Sequence, residues 1–496
     1  MAAKSIGRRN IRLRRRDSVI STVRPSRDVC LELQDHSVLS RSAVEFFELH
    51  SSRDPYVQAA RLAEQFEAQN RSLFSLLDVS VERVFDGNDF MLHLKSGSMV
   101  GAVPLISPTR ATPDYGIVVQ PRFSWGGLGP MLAEMGWRIA PSPLKLPLLK
   151  RSERRVPPWV ISCMVLNRLK ALLHSLVRRF EMVTSVRRAP RGTVDWHRYL
   201  MEEMPRGNFL SVPCRYPDLR DDVLLKGAIR YSLEKHLRSL ETQKEQGAYV
   251  HRLIEFCESL LRTVHLVPVY IPSPTTMASW FERPMTSGHL LDGLQAIQWT
   301  VEDRGLAGTS DLEGLPWTMS MDQFFEGWIE TVLHSVARNT GATLRSGRNH
   351  ETTCPISWNP AFLGSQKSLV PDLWLQWEST TLIVDAKYKR HFEELQRTSW
   401  HTLEAHLREE HRNDLLQVLA YGNLARTKRV VACLAFACSP DNWRVLCQRK
   451  RLFHKAQINV GARDLHLWLT AIPMATNREE IAMVMEQELR PIISGP

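Results

Sequence analysis

The sequence predicts a mixed α/β protein, and three features support this prediction. Strand-like apolar runs are frequent before residue 121, helical spacing of apolar residues dominates 151–300, and the two patterns alternate in 301–496. Apolar residues that recur every three or four positions favour helices, whereas alternating or short continuous apolar runs favour strands. We therefore expect four regions, namely a basic mobile arm over 1–40, a β-rich N-terminal domain over 41–150, a helical middle domain over 151–300 and an α/β C-terminal domain over 301–496.

Positive charge is unevenly distributed along the chain. The 496 residues include 64 Lys and Arg against 53 Asp and Glu, a net charge of +11, and residues 1–16 alone carry +7. Residues 301–496 hold 22 basic and 23 acidic side chains, for a net charge of −1. If the excess serves a polyanion, we expect phosphate contacts to come mainly from the arm, from residues 17–300 or from a partner. Codon usage in a GC-rich genome is the alternative explanation for the many arginines.

Several absent patterns narrow the class of protein. No apolar window of about 18 residues is present, so the sequence predicts no transmembrane helix and no membrane contact. The N-terminus lacks an apolar signal segment, and the eight cysteines form no C-x-x-C pair, so we expect a cytoplasmic protein without a zinc module. Because no G-x-x-x-x-G-K-[ST] motif occurs, we expect this chain to bind no nucleotide itself.

The N-terminal domain is predicted to begin with helices and continue as strands. Helical spacing marks residues 43–50 and 57–66, and a turn between two β-rich runs predicts a hairpin over 79–94. Short strands are expected at 99–105 and 116–121, where proline and glycine become frequent.

The middle domain is predicted to consist of helices. Pro157 and Pro158 suit a helix start, because the first amide groups of a helix have no intrahelical partner. We expect helices over 159–180, 221–240 and 246–263.

The C-terminal domain is predicted to alternate helices and strands. Helical spacing marks residues 321–336 and 410–424. Apolar runs predict strands at 342–345, 369–377, 380–386, 429–437 and 443–453. Glu378 and Ser379 suit a tight turn between the second and third of these strands. This order of elements is typical of a mixed α/β domain.

Acidic and basic residues meet at the end of this predicted hairpin. Asp385 and Lys387 are two positions apart in one strand and therefore point to the same face. Asp372 begins the preceding strand, and antiparallel pairing would bring it beside them. The three apolar residues before Asp385 predict a buried strand, in which unpaired charges are costly.

Two carboxylates and a lysine suit phosphodiester hydrolysis. Carboxylates supply oxygen ligands for Mg²⁺, or for Mn²⁺ as the alternative ion. A bound metal ion polarises the phosphate, and a nearby lysine orients water or stabilises the charge that develops on phosphorus. The alternative interpretation is an exposed ion pair, which contributes little.

The spacing of these residues resembles the PD-(D/E)xK nuclease superfamily. Asp372 is followed by twelve residues and then by Asp385, Ala386 and Lys387. The resemblance implies a restriction-endonuclease-like fold for the C-terminal domain. It also implies that Asp372 and Asp385 bind the metal ion and that Lys387 positions or activates water.

Two further elements strengthen this resemblance. Gln417 and Tyr421 resemble the Q-x-x-x-Y motif of the RecB-like branch, and i, i+4 spacing puts them on one helix face. The polar edge of a helix that covers the sheet is the alternative. Glu326 lies where such families place a Glu close to the metal, so the resemblance implies a third ligand. A solvated acidic stripe formed by Asp322, Glu326 and Glu330 is the alternative there.

Longer segments resemble the McrC subunit of the McrBC modification-dependent restriction systems, over roughly residues 80–440. The resembling segments are 100–101, 116–121, 154–159, 324–328, 385–389 and 414–421. Arg122 stands where that family usually has Lys. Residues 1–75 match nothing in the family.

This resemblance implies a Mg²⁺-dependent DNA endonuclease that acts as the effector of a restriction or antiphage complex. An AAA+ GTPase partner resembling McrB would recognise DNA and drive the nuclease. The sequence does not locate the family's insertion that reaches into its ring-shaped partner. Two alternatives remain open. One is a non-catalytic subunit that assembles the complex and activates the GTPase, and the other is an RNA-cleaving nuclease of the same fold.

Overall fold

The computed structural model describes most of the chain. The described residues are 29–50, 54–86, 89–123, 125–139, 141–144, 146, 157–176, 179–220, 222–282, 288–302, 316–360, 362, 364–389, 404–460 and 463–493. Residues 1–28 of the predicted basic arm lie outside them, as do residues 154–156 of the segment that resembles McrC. Val29–Gln34 and Val38–Ser42 are paired strands, so the prediction of a mobile arm as far as residue 40 is wrong.

The described residues form a mixed α/β protein, as predicted, and divide into two compact units. The first unit contains residues 161–245 and 250–308, and the second contains 19–160, 246–249 and 309–496, as far as each range is described. The helices are Ala43–Phe46, Pro55–Leu76, Trp125–Glu134, Pro158–Ser175, Trp196–Arg198, Val223–Glu241, Ala248–Val264, Pro274–Phe281, Gly288–Val301, Met321–Thr340, Ala405–Gly422, Pro440–Gln448 and Arg478–Ile493. Among the described helices, none combines the length and the apolar character that crossing a bilayer requires.

A six-stranded mixed sheet, the central sheet, organises the C-terminal part of the second unit. In spatial order its strands are Thr343–Ser346, Leu373–Gln376, Thr380–Lys387, Arg429–Cys438, Arg463–Pro473 and Phe453–Val460. The strand Arg429–Cys438 runs parallel to both of its neighbours and is buried along nearly its whole length. Parallel strands that are covered on both faces require such continuous apolar runs, which the sequence supplies here.

An N-terminal sheet belongs to the same unit. Its strands, in spatial order, are Val29–Gln34, Tyr115–Gln120, Met99–Leu105, Trp317–Ser320 and Ser142–Pro143. A separate meander joins Val38–Ser42, Asp89–Ser96 and Val79–Asp86, and Cys354–Pro355 pairs with Ser368–Leu369. The strand Trp317–Ser320 leads directly into the helix Met321–Thr340, which we call the support helix. The N-terminal sheet therefore fixes the start of a helix that packs on the central sheet.

The first unit combines helices with a three-stranded antiparallel sheet. That sheet consists of Arg179–Arg187, Val212–Arg220 and Thr193–Val194. The helix predicted over 159–180 is thus too long, because it ends at Ser175. The middle region is not wholly helical, since Val212–Arg220 pairs with Arg179–Arg187 along its full length. Such a pairing across more than twenty residues leaves no trace in local apolar spacing.

The strand predicted over 443–453 is also wrong. The helix Pro440–Gln448 occupies most of it, and the next strand begins only at Phe453. Ser439 caps this helix by accepting a hydrogen bond from the amide of Asn442, and Pro440 occupies its first turn. Short apolar runs do not distinguish a buried strand from a buried helical turn, so the caps decide.

His236 forms a buried polar link in the first unit. Its Nδ1 lies 3.1 Å from the Ser162 hydroxyl and its Nε2 3.2 Å from the Thr300 hydroxyl. Burial, aided by the charge of Lys235, lowers the pKa of His236 to about 3. The imidazole is therefore neutral in the folded protein near neutral pH.

This buried histidine predicts loss of stability in mild acid. The unfolded chain protonates His236 below its ordinary pKa, whereas the folded unit does not, so stability is full above about pH 6.5 and declines toward pH 3. Between about pH 7.5 and pH 5 the loss should be on the order of 2 kcal/mol. Thermal unfolding of His236→Gln should show a smaller pH dependence than that of wild type. The exposed His251→Gln is the control, and an equal pH dependence in all three proteins would contradict this prediction.

Candidate active site

The hairpin of the central sheet brings the predicted acidic residues together. Leu373–Gln376 and Thr380–Lys387 pair antiparallel, with Leu373 opposite Val384. Asp372 directly precedes the first strand, and its Oδ2 accepts a hydrogen bond from the amide of Ala386 at 2.8 Å. The side chain of Asp372 is thereby held against the end of the second strand.

Asp385 and Lys387 form a close ion pair on one face of this strand. The Lys387 Nζ lies 2.8 Å from the Asp385 Oδ2, and Asp385 is only 1% exposed. An exposed ion pair, the alternative considered above, does not describe this geometry. A buried carboxylate requires a charged or hydrogen-bonding partner, and Lys387 provides it.

The helix Ala405–Gly422, which we call the site helix, adds the next polar groups. Lys387 donates a hydrogen bond to the Gln417 Oε1 at 2.9 Å. Gln417 in turn donates from its Nε2 to the Tyr421 hydroxyl at 3.0 Å. One helical turn separates Gln417 from Tyr421, so both reach the same point of the sheet. The structure therefore links Asp385, Lys387, Gln417 and Tyr421 in one continuous chain of contacts.

The support helix carries Glu326 toward this cluster. Phe324 and Phe325 are fully buried and fix the helix on the sheet, while Glu326 is half-buried. A side chain at Gly327 would place its Cβ 2.3 Å from the Ile139 Cδ1, so glycine permits the close approach of that neighbour. The apolar contacts on both sides of Glu326 thus determine where its carboxyl group lies.

The acidic residues on either side of Glu326 have partners of their own. Ser98 donates a hydrogen bond to Asp322, and Arg348 donates to Glu330 at 3.2 Å. Glu330 is only 5% exposed. Asp322 is exposed, whereas Glu330 is buried and paired, so the three residues do not form a uniformly solvated acidic stripe along the support helix.

Burial and mutual repulsion raise the pKa values of the clustered carboxyl groups. Burial raises the pKa of Asp372 to about 8, and the charges of Asp385 and Glu326 add to the rise. Burial, with the charge of Asp322, raises the pKa of Glu326 to about 7. Burial raises the pKa of Asp385 as well, although Lys387 opposes this effect.

The same cluster keeps Lys387 protonated. Burial alone would lower the pKa of Lys387, but Asp385, Asp414 and Asp372 together raise this pKa above its ordinary value. A lysine that is charged at neutral pH acts as a hydrogen-bond donor and a positive charge, not as a proton acceptor.

The carboxyl groups suit a hard cation chemically, although they do not form a ready-made ligand set. Within the residues that the structure describes, no three His, Cys, Asp or Glu side chains are grouped as metal ligands. Asp385 is buried and Asp372 half-buried, and both offer carboxylate oxygens as metal ligands; a divalent cation would relieve the repulsion that helps to raise their pKa values. Metal binding by Asp372, Asp385 and Glu326 therefore stays a prediction.

Asp414 and Lys389 extend the cluster beyond the residues that the sequence analysis selected. Lys389 donates to both carboxyl oxygens of Asp414, at 3.0 and 3.1 Å. The Asp414 Oδ1 also lies 3.7 Å from the Lys387 Nζ. The signal was present in the sequence, because Asp414, Gln417 and Tyr421 follow the i, i+3, i+7 spacing of one helix face.

Tyr388, which follows the strand Thr380–Lys387, connects the end of this strand to the N-terminal sheet. Its hydroxyl donates to the Asp35 Oδ2 at 2.6 Å, and Tyr388 is 1% exposed. The amide of Arg122 donates to the other Asp35 oxygen at 3.1 Å, and the Arg122 guanidinium carbon lies 4.3 Å from the centre of the Tyr388 ring. Sequence reasoning missed Asp35 because its partner is 353 residues away.

This tie predicts that the Tyr388 hydroxyl stabilises the second unit. Tyr388→Phe would leave a buried Asp35 oxygen without its donor, at a cost of about 1–3 kcal/mol. Thermal unfolding should show a lower midpoint for Tyr388→Phe than for wild type. Tyr56→Phe removes an exposed hydroxyl and is the matched control. A midpoint for Tyr388→Phe equal to that of the control would refute a structural role for this hydrogen bond.

Solved structures of McrBC assemblies are among those that align with this chain. The half-complex from a tetradecameric assembly of Thermococcus gammatolerans McrB AAA+ hexamers with bound McrC covers 94% of this chain and 100% of its own, at 14% identity and a TM-score of 0.40. The Thermococcus gammatolerans McrBC complex, solved by cryo-EM, covers 62% and 88%, at 11% identity and a TM-score of 0.25. The chain matches no model of a protein family and no curated protein. Its function therefore has to be argued from its own residues.

Proposed function

We propose that this chain is a Mg²⁺-dependent DNA endonuclease and the effector subunit of an McrBC-like defence complex. The observation that carries the proposal is the chain of contacts from Asp385 through Lys387 and Gln417 to Tyr421, with Asp372 held beside it. A buried carboxylate paired with a half-buried lysine has no evident use in a purely structural sheet, because apolar residues would fill the same space at lower cost.

Each residue of the cluster has a role that its surroundings support. Asp372, Asp385 and Glu326 would hold the cation, which when bound polarises the scissile phosphate and acidifies a water molecule. Lys387 is charged, so it orients the attacking water and stabilises negative charge on the phosphate. Gln417 fixes the position of Lys387, and its other end binds Tyr421.

The GTPase partner is proposed from the sequence resemblance and from an exposed apolar segment of the first unit. Residues 196–210, which we call the apolar segment, expose Trp196, Met201, Phe209 and Leu210 by 62–72% of their area. Contiguous exposed apolar side chains mark protein interfaces. We assign this segment to the contact with an AAA+ GTPase partner, for which the sequence analysis found no location.

The cleavage proposal predicts that single substitutions in the cluster abolish activity. Asp385→Asn and Lys387→Met should each lower DNA cleavage by a factor of about 100 or more, because each removes a group that stabilises developing charge. Cleavage of duplex DNA would be measured with the full chain and an McrB-like AAA+ GTPase, with and without Mg²⁺. EDTA should abolish wild-type cleavage.

The exposed Asp441→Asn is the matched control for these substitutions, because Asp441 is a carboxylate of the same unit that pairs with Arg444. It should cleave DNA like wild type. If Asp385→Asn cleaved DNA at the wild-type rate, the cluster would not be the active site. Cleavage of RNA but not of DNA by wild type would favour the RNA-cleaving alternative.

Nuclease and partner functions should separate by mutation. Asp372→Ala should abolish cleavage and phage restriction but leave stimulation of partner GTP hydrolysis intact. Met201→Glu should instead lower the stimulation of partner GTP hydrolysis, because a charge in the apolar segment weakens partner binding. Restriction that survives Asp372→Ala would favour the non-catalytic assembly subunit instead.

A further inference from the structure

A cavity lies at the turn of the hairpin formed by Leu373–Gln376 and Thr380–Lys387, at the end away from Asp372 and Asp385. Its volume is about 600 Å³. The residues that bear on its chemistry are Arg345, Trp374, Gln376, Thr381, Arg426 and Lys428. They come from three strands of the central sheet and from the connection that follows the site helix.

The cavity and the candidate active site share one face of the central sheet. Asp372, Trp374 and Gln376 are spaced two positions apart along the extended chain, so their side chains lie on the same side of the sheet. Gln376 is opposite Thr381 in the next strand, and directly opposed residues share a face. Thr381 and Asp385 are four positions apart in their strand, so they also share this face. The cavity and the candidate active site therefore lie at opposite ends of one sheet face, on which Thr381, Ile383 and Asp385 are themselves buried.

The separation between the two sites matches a short stretch of nucleic acid. Thr381 and Asp385 are four residues apart in an extended strand, which corresponds to about 13 Å. Along duplex DNA, consecutive phosphates of one strand are about 3.4 Å apart on the helix axis, so 13 Å corresponds to about four base pairs. A nucleic-acid strand whose scissile phosphate lies beside Asp385 would thus have another phosphate near the cavity.

The charge of the cavity is positive, although the surrounding region is nearly neutral. Arg345, Arg426 and Lys428 face a single acid, Glu378, in its lining. Among the described residues, none of these three cations has an acidic partner within ion-pair distance. Arg345 is held in place, because its guanidinium carbon lies 5.3 Å from the Trp374 ring centre. The buried indole N–H of Trp374 meets no acceptor in the described part of the chain.

We propose that this cavity binds a phosphate group of the nucleic-acid strand that the candidate active site cleaves. The identity of the ligand rests on the proposed function, whereas the positive charge of the cavity is independent of it. Arg426 and Lys428 are exposed at its mouth and can reach a phosphate of an extended polymer. Arg offers two parallel donors to phosphate oxygens, and Lys a mobile charge. The contact holds the backbone in register and reads no base.

The test measures DNA binding by the full chain without divalent cations, so that no cleavage occurs. Arg426→Gln/Lys428→Gln should weaken binding of duplex DNA of any sequence and reduce the slope of log K against log salt by about 2. Arg444→Gln/Arg451→Gln removes the same net charge elsewhere in the unit and is the matched control. It should bind DNA like wild type. A slope for the cavity variant equal to that of the control would overturn the proposal.

Two further measurements distinguish a nucleic-acid phosphate from a free phosphate compound, and failure of this inference from failure of the proposed function. Calorimetric binding of ADP or inorganic phosphate that disappears in Arg426→Gln/Lys428→Gln, with DNA binding unchanged, would replace the nucleic-acid ligand by a free phosphate compound. Asp385→Asn should retain the wild-type salt slope. If wild type bound DNA through the cavity but never cleaved it, the cavity would stand and the nuclease function would fall.

Discussion

The ion pair between Asp385 and Lys387 is the interaction on which the arrangement of the site depends. A carboxylate that is only 1% exposed is stable in its charged form only with a partner, and Lys387 lies 2.8 Å away. Lys387 also needs acceptors for its remaining N–H groups, and Gln417 supplies one from the site helix. The need to compensate one buried charge thus fixes the relation between the strand and the helix that covers it.

The N-terminal sheet is a structural part of the candidate active site. The strand Trp317–Ser320 belongs to that sheet and leads into the support helix that carries Glu326. At the end of the strand Thr380–Lys387, the hydrogen bond from Tyr388 to Asp35 fixes the position of the residue that follows Lys387. Both ends of the cluster are therefore held by residues far away in the sequence, which keeps carboxyl groups with raised pKa values close together despite their repulsion.

The distribution of charge has a different meaning in three dimensions. Residues 301–496 have a net charge of −1, and the sequence therefore predicted that phosphate contacts lie elsewhere. The fold gathers basic residues at one end of the hairpin and acidic residues at the other, on the same face. Net charge over a segment averages these two groups, whereas a nucleic-acid strand would meet them separately.

The sequence by itself determined the mixed α/β class and the hairpin that brings Asp372 and Asp385 together, because both depend on local signals. The apolar run before Asp385, the turn after Trp377 and the alternation within each strand fix which residues share a face. Only the tertiary structure decided the rest. The strand at Arg179–Arg187 and the link from Tyr388 to Asp35 depend on partners distant in the chain. No local pattern encodes such contacts, since they are selected by the packing of the whole unit.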